Sequence, residues 1–330
     1  MENIDTGEIT VGVVGLGLMG CSFIASLLIA GHNVKAIAPL TEDMESASER
    51  VHNHLTLCEN AGLLNKPIES YLAQVVITED YGHLSTCSLV LECVIEIPAI
   101  KKSVYQKIEK VVTKNTVIAS NTSAIPISEL QNHLEHPGRF LGIHWAEPAY
   151  LSRFMEITCG SSSDIEHANW VYELAHCWGK EPTLLRKDLR GFITNRLMYA
   201  VYREGLSLVE KGEATLEDVD KAFRYDAGSW MTLMGIFRRM DFMGLADQFE
   251  IFKTVFPKLC NDDNITPLMQ HMVDIDARGT RNLLGLYPYT EEEARKWEEA
   301  FVLFNMEIFK LAEMYPSKRE KKPVAEIQYL

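Results

Sequence analysis

The stretch HWAEPAYLSRFME, residues 144 to 156, carries His144 at one end and Glu156 at the other. An imidazole titrates near neutrality, so it can take or give a proton in either direction of a reaction. A carboxylate on its second nitrogen would fix the tautomer and favour imidazolium as it forms. The same two residues could equally be polar neighbours of a strand, since the chain holds ten histidines. The deciding matter is which elements hold them.

A second chemistry-bearing pattern stands near the start. VGVVGLGLMG places Gly15, Gly17 and Gly20 in G-x-G-x-x-G spacing between an apolar run and the helical pattern CSFIASLLIAG. Gly15 permits a tight turn, Gly17 lets backbone approach a pyrophosphate, and Gly20 allows close helix–strand packing. The phosphates would sit at the positive end of the helix that opens around Leu18 and Met19. NAD-binding units usually end the second strand with Asp or Glu for the adenosine ribose. Here NVKAIA ends at Ala38, followed by Pro39 and Leu40. No basic residue waits for a 2′-phosphate, and Glu42 and Asp43 would repel one. NAD is therefore the expected cofactor rather than NADP, either bound weakly or with its ribose held by backbone groups, Thr41 or Glu42.

Eight short β-rich runs alternate with helical patterns from residue 9: ITVGVVG, NVKAIA, VVITE, SLVLECV, TVIAS, FLGIHW, FMEIT and EPTLLRK. This alternation predicts an α/β domain with a parallel, doubly wound sheet over residues 1–188. From residue 189 onward, segments such as ARKWEEAFVLFNMEIFKLAEM repeat apolar residues at helical spacing, which predicts an all-α domain over 189–330.

The bulk composition narrows the function. A formal charge of -14 without a basic stripe argues against nucleic acid and anionic membrane surfaces. No apolar run reaches the roughly 18–20 residues of a membrane span. The start MENIDTGEIT shows neither the basic nor the apolar part of a targeting peptide, so a cytoplasmic location is expected. Seven scattered cysteines without a CxxC pair read as reduced thiols, with no metal site.

Several ordered signatures now coincide: VGLGLMG, LECVIE with Lys101 behind it, SNTS at 120 to 123, RFLGIHW, MEI at 155 to 157, and GFITNR at 191 to 196. Together they resemble the 3-hydroxyacyl-CoA dehydrogenase family, including its L-gulonate 3-dehydrogenase and carnitine dehydrogenase branch. The similarity covers nearly the whole chain, with LMGIFRRMDFMGL and GLYPYT resembling elements of the family's helical domain. The resemblance implies a Rossmann domain followed by a helical substrate and dimerisation domain, and an NAD-dependent oxidation of a CH–OH group in a homodimer. It implies His144 as catalytic base, Glu156 as its orienting carboxylate, and Ser123 and Asn195 around the reacting oxygen. Glu96 and Lys101 match cofactor-contacting positions, and Asn121 and Ser123 of the SNTS segment are expected to contact the cofactor as well. The competing possibility is a non-catalytic binding or structural protein on the same fold, as crystallin relatives illustrate.

The chain also departs from the family pattern. Glu147 stands where the family writes asparagine after its base; it would repel an anionic substrate group, meet a cationic one, pair with Arg153, or simply turn to solvent. Arg190 replaces a proline at the domain entry, and Trp230 occupies a position where the hydroxy-acid branch often has arginine. The region after the second strand is acid-rich, whereas acyl-CoA binding calls for cations near the CoA phosphates. A small hydroxy acid is therefore expected over a CoA thioester, with Glu147, Arg153 and Trp230 as substrate candidates. Arg224 and Arg238 are further candidates for a carboxylate clamp, and Trp145, Tyr150 and Phe154 for the pocket wall.

Overall fold

The computed structural model describes residues 4–311. The chain divides after Arg196 into two compact units. This division lies beyond the 188/189 boundary expected above, because Ile193, Thr194 and Asn195 all hydrogen-bond to residues of the first unit.

The strands are β1 (Thr10–Val14), β2 (Asn33–Ile37), β3 (Val75–Thr78), β4 (Leu89–Glu92), β5 (Val117–Ser120), β6 (Phe140–Trp145), β7 (Phe154–Cys159) and β8 (Glu181–Leu185). They form one sheet in the order β3-β2-β1-β4-β5-β6-β7-β8. Helices α1 (Leu18–Ile29), α2 (Thr41–Asn60), α3 (Ile68–Leu72), α4 (Pro98–Glu109), α5 (Ile127–Gln131) and α6 (Ile165–Cys177) flank or connect them. This is a Rossmann-type arrangement. The central strands are continuous apolar runs: every residue of β4 and β5 is buried, as a sheet covered by helices requires. The core gathers Val14, Val90, Tyr105, Ile118, Ile127 and Phe140 around these strands.

One expectation is corrected. The sheet is not wholly parallel, because β7 runs antiparallel to β6. A parallel return needs a crossover of a dozen or more residues, and segment 146–153 is short and contains no helix. The next connection does contain one, α6, and β8 accordingly lies parallel to β7.

β1 lies between β2 and β4, so the chain winds outward through β2 and β3 and then returns to the other side of β1. Such a reversal opens a crevice beyond the carboxyl ends of the two central strands, where ligands of doubly wound sheets bind. Gly15, with φ +98°, turns the chain at this point, and an added Cβ would come 2.9 Å from the backbone of Cys93 at the end of β4. α1 leaves the turn buried on every side from Gly20 to Leu28.

Helix α7 (Thr194–Glu210) begins in the first unit. The second unit continues with α8 (Leu216–Ala222), a π-helical turn at Phe223–Ala227, then α9 (Gly228–Met234), α10 (Ile236–Met243), α11 (Leu245–Val255), α12 (Pro267–Asp274) and α13 (Glu291–Leu311). Among its described residues only Ser207 and Ala294 are buried, while Phe237, Tyr225, Phe242 and Leu303 are mostly exposed. None of the described helices is long and apolar enough to cross a membrane.

Gly20 permits the closest approach in the first unit: a Cβ there would lie 1.9 Å from the Gly15 carbonyl oxygen, and backbone cannot swing aside like a side chain. Gly20→Ala is expected to cost about 1–3 kcal/mol through forced separation of α1 from the turn. Thermal denaturation should show a lower midpoint, and added NADH should raise that midpoint less than it does in the wild type.

Candidate active site

His144 and Glu156 face each other directly across the antiparallel β6–β7 pair. Their side chains meet with His144 Nδ1 3.4 Å from Glu156 Oε2. The other carboxylate oxygen accepts hydrogen bonds from the Ile193 N–H at 2.9 Å and the Thr194 N–H at 3.0 Å. Glu156 thus spans a strand pair and the amino-terminal end of α7. Burial pushes its carboxyl up, but the His144 bond and the two backbone donors offset this and hold it below the ordinary range. The histidine ring is walled by Phe154 and Phe192, at centroid distances of 5.4 and 6.1 Å. With Nδ1 turned to the carboxylate, Nε2 is the nitrogen left for a substrate proton.

The SNTS segment follows β5. Ser123 is exposed; its N–H donates to Glu96 Oε1 at 3.1 Å and its carbonyl accepts from Asn195 Nδ2 at 2.9 Å. Thr122 donates its hydroxyl hydrogen to the same Glu96 oxygen. Asn121 Oδ1 accepts from the Trp145 N–H at 3.2 Å, tying the segment to the end of β6. Lys101 is almost wholly buried: its ammonium lies 2.9 and 3.0 Å from the two oxygens of Glu92 and 3.1 Å from Glu96 Oε2. Burial alone would lower the Lys101 pKa, yet the two carboxylates raise it above its usual value. Glu92 also accepts from the Tyr105 and Ser120 hydroxyls, each at 2.7 Å. Sequence reasoning passed over Glu92; a carboxylate inside the apolar run SLVLECV was its signal, because such a charge must be paired.

The loop between β6 and β7 is fastened from beneath. The Ala149 N–H donates to Ser22 Oγ at 2.8 Å, and the buried Lys180 ammonium donates to the Ala149 and Ser152 carbonyls. Lys180 also lies 5.1 Å from the Trp145 ring centroid, and burial with the nearby Arg153 charge brings its pKa down to about 7. Tyr150 packs edge-on against His54, whose Nδ1 lies 3.3 Å from the phenol oxygen. Glu147 Oε2 is buried and has no hydrogen-bond partner among the described residues. Burial pushes the Glu147 carboxyl up to about 7 against the pull of Ser22. Ser22, His54 and Lys180 were not singled out in the sequence, since they come together only through the fold. In the second unit, Trp230 stacks with Phe242 and carries the Arg239 guanidinium 4.8 Å from its ring centroid; Arg224 lies over Trp297.

The glycine-rich turn fits a dinucleotide. A Cβ on Gly17 would meet nothing within 4 Å, which leaves room for a pyrophosphate against the backbone. Gly17 caps α1 without any side-chain hydrogen bond, so the first amides of the helix are open to an anion. Leu18, 64% exposed, and Met19 form the outer edge of this turn. A doubly wound sheet with such a turn at its switch point defines the class of dinucleotide-binding domains.

Two family models match consecutive parts of the chain: the NAD binding domain of 3-hydroxyacyl-CoA dehydrogenase over residues 10–189 and its C-terminal domain over 191–289. The chain is 30% identical to the 5-formyl-3-hydroxy-2-methylpyridine 4-carboxylate 5-dehydrogenase of Mesorhizobium japonicum, over 86% of this chain and 92% of that protein. It is 32% identical to the L-carnitine dehydrogenase of Oceanobacillus iheyensis over 71% and 76% of the two chains. A solved structure of a 5-formyl-3-hydroxy-2-methylpyridine 4-carboxylic acid 5-dehydrogenase, described as an NAD⁺-dependent dismutase, superposes with a TM-score of 0.84 at 27% identity, covering 93% and 99%. The chain belongs to the 3-hydroxyacyl-CoA dehydrogenase family. Its cofactor is NAD and its reaction class is dehydrogenation of a CH–OH group.

The position of Glu147 has a consequence for stability. A carboxyl whose folded pKa lies above its unfolded value favours the fold while protonated, and this contribution is lost as pH rises from the ordinary carboxylate range through about 7. Between about pH 5 and about pH 8, the melting temperature of the wild type should fall by a few degrees more than that of Glu147→Gln, as differential scanning calorimetry would measure.

Proposed function

We propose that the protein oxidises the secondary hydroxyl of a small 3-hydroxy acid, with His144 as the base that removes the hydroxyl proton. Glu156 orients the imidazole, while Ser123 and Asn195 position the reacting oxygen. NAD, when bound, supplies the hydride acceptor, so the alcohol loses a hydride and a proton and becomes a carbonyl. The observation that carries this reading is the opposed His144–Glu156 pair, 3.4 Å apart and anchored to the start of α7. A binder without catalysis would keep the glycine cradle, and Glu156 as the anchor of α7, but would have no need of His144.

For the cofactor we assign Gly15, Gly17, Leu18, Met19, Gly20 and Asn121, together with Glu96, which Lys101 holds in place. Residues 1–188 then act as the cofactor domain and 189–330 as the substrate and dimerisation domain. The substrate preference rests on charge: from Thr41 to Leu72 six acidic residues face two basic ones, a poor setting for the CoA phosphates. Relatives named for a pyridine 4-carboxylate and for L-carnitine support the small substrate, whereas others are named for 3-hydroxybutyryl-CoA and 3-hydroxyadipyl-CoA. A 3-hydroxyacyl-CoA substrate, and with it fatty-acid metabolism, is the alternative. Glu147, Arg153 and Trp230 are the substrate-facing candidates. The exposed apolar faces of the second unit support a homodimer, and seven cysteines scattered without a CxxC pair support a cytoplasmic setting.

His144→Ala should bind NADH with unchanged affinity and lose kcat/KM by about 10³-fold or more; a wild-type rate on the true substrate would remove His144 from the role of base. NADH formation across 3-hydroxy acids, sugar acids, carnitine and 3-hydroxyacyl-CoA thioesters should be fastest on a free acid. Light scattering after size exclusion should give twice the chain mass, and a monomer at micromolar concentration would contradict the dimer.

A further inference from the structure

The end of β2, where an acidic residue ordinarily meets the adenosine ribose, offers only Ala38, which is buried. Helix α2 begins just beyond, and Leu40 at its cap contributes no side-chain hydrogen bond. In its first turn, Thr41 and Glu42 are exposed, whereas Asp43 is partly buried. Arg50 Nη1 donates to Asp43 Oδ1 at 2.9 Å and to the Leu16 carbonyl at 2.8 Å. Leu16 is the residue between Gly15 and Gly17, so one guanidinium nitrogen fastens a carboxylate of α2 to the glycine-rich turn. The pair lies beside the first turn of α1 as well, because the Cys21 thiol donates to the same Leu16 carbonyl at 3.1 Å.

We infer that Asp43, clamped by Arg50 to the glycine-rich turn, reads the adenosine ribose hydroxyls and excludes a 2′-phosphate, taking the part that the strand end leaves vacant at Ala38. The geometry favours it over its neighbours, since Asp43 alone in this turn is bonded through Arg50 to the backbone that approaches the pyrophosphate. A ribose diol donates to a carboxylate, while a dianionic phosphate is repelled by one. The clamp also occupies the arginine that would otherwise attract that phosphate. The specificity element is thereby moved from the strand onto the helix that follows it.

This inference rests on NAD as the cofactor, and the two are separable by titrating NADH and NADPH fluorescence on the same proteins. The wild type should favour NADH, Asp43→Asn should narrow that preference by roughly tenfold or more, and Asp43→Glu should retain most of it. Melting temperatures of the variants in the absence of dinucleotide check that each is folded. An unchanged NADH-to-NADPH ratio in folded Asp43→Asn overturns this inference alone, as does a shift produced instead by Thr41→Val or Glu42→Gln. Absence of any NADH binding by the wild type overturns both the inference and the dehydrogenase reading.

Discussion

The candidate site depends on the two oxygens of one buried carboxylate. Glu156 directs one oxygen to the His144 ring and the other to two amides that begin α7, so the orientation of His144 and the place where α7 starts are fixed by the same charge. Its environment makes that charge persistent: the three donors outweigh the cost of burial. Replacing it by an apolar residue would therefore release a ring and a helix end together, which distinguishes Glu156 from a carboxylate that only faces a histidine.

A second charge cluster runs from the buried pair Lys101 and Glu92 out to the exposed Glu96. Lys101 joins Glu92 to Glu96, and Glu96 in turn holds Thr122 and the Ser123 backbone. Ser123 then receives Asn195 from the beginning of α7. The four residues Lys101, Glu96, Ser123 and Asn195 thus form a continuous chain of contacts from the interior of α4 to the segment that Glu156 anchors. Buried pairs of this kind are costly to assemble and still costlier to break on one side only, so their use here is better understood as positioning than as stability.

Much of the fold could be read because buried strands are continuous apolar runs, and all eight runs became strands. Direction could not be read from the runs themselves; β7 reverses because the loop before it is too short for a crossover, and loop length was the legible sign. The sequence also named residues that the fold brings into contact: His144 with Glu156, Ser123 with Asn195 and Glu96. It did not reveal the burial of Lys101, since a lysine on an amphipathic helix looks the same whether it ends in water or against two carboxylates. Lys180 and Ser22 escaped for a related reason, as neither belongs to a motif and each acquires its partner from a distant segment. The helical unit showed its apolar spacing in sequence, but spacing alone does not tell an inner face from an outer one.

The antiparallel return at β7 separates two kinds of change. The strand register holds His144 opposite Glu156, whereas the chain joining the strands is fastened separately, at Ala149 and Ser152 by Ser22 and Lys180 and at Tyr150 by His54. The register alone therefore keeps His144 and Glu156 opposite one another, whatever residues 146 to 153 bond to. In evolutionary terms, a substitution in that loop and a substitution in the paired strands are separate events, the first touching the loop's own anchors and the second the pairing of His144 with Glu156.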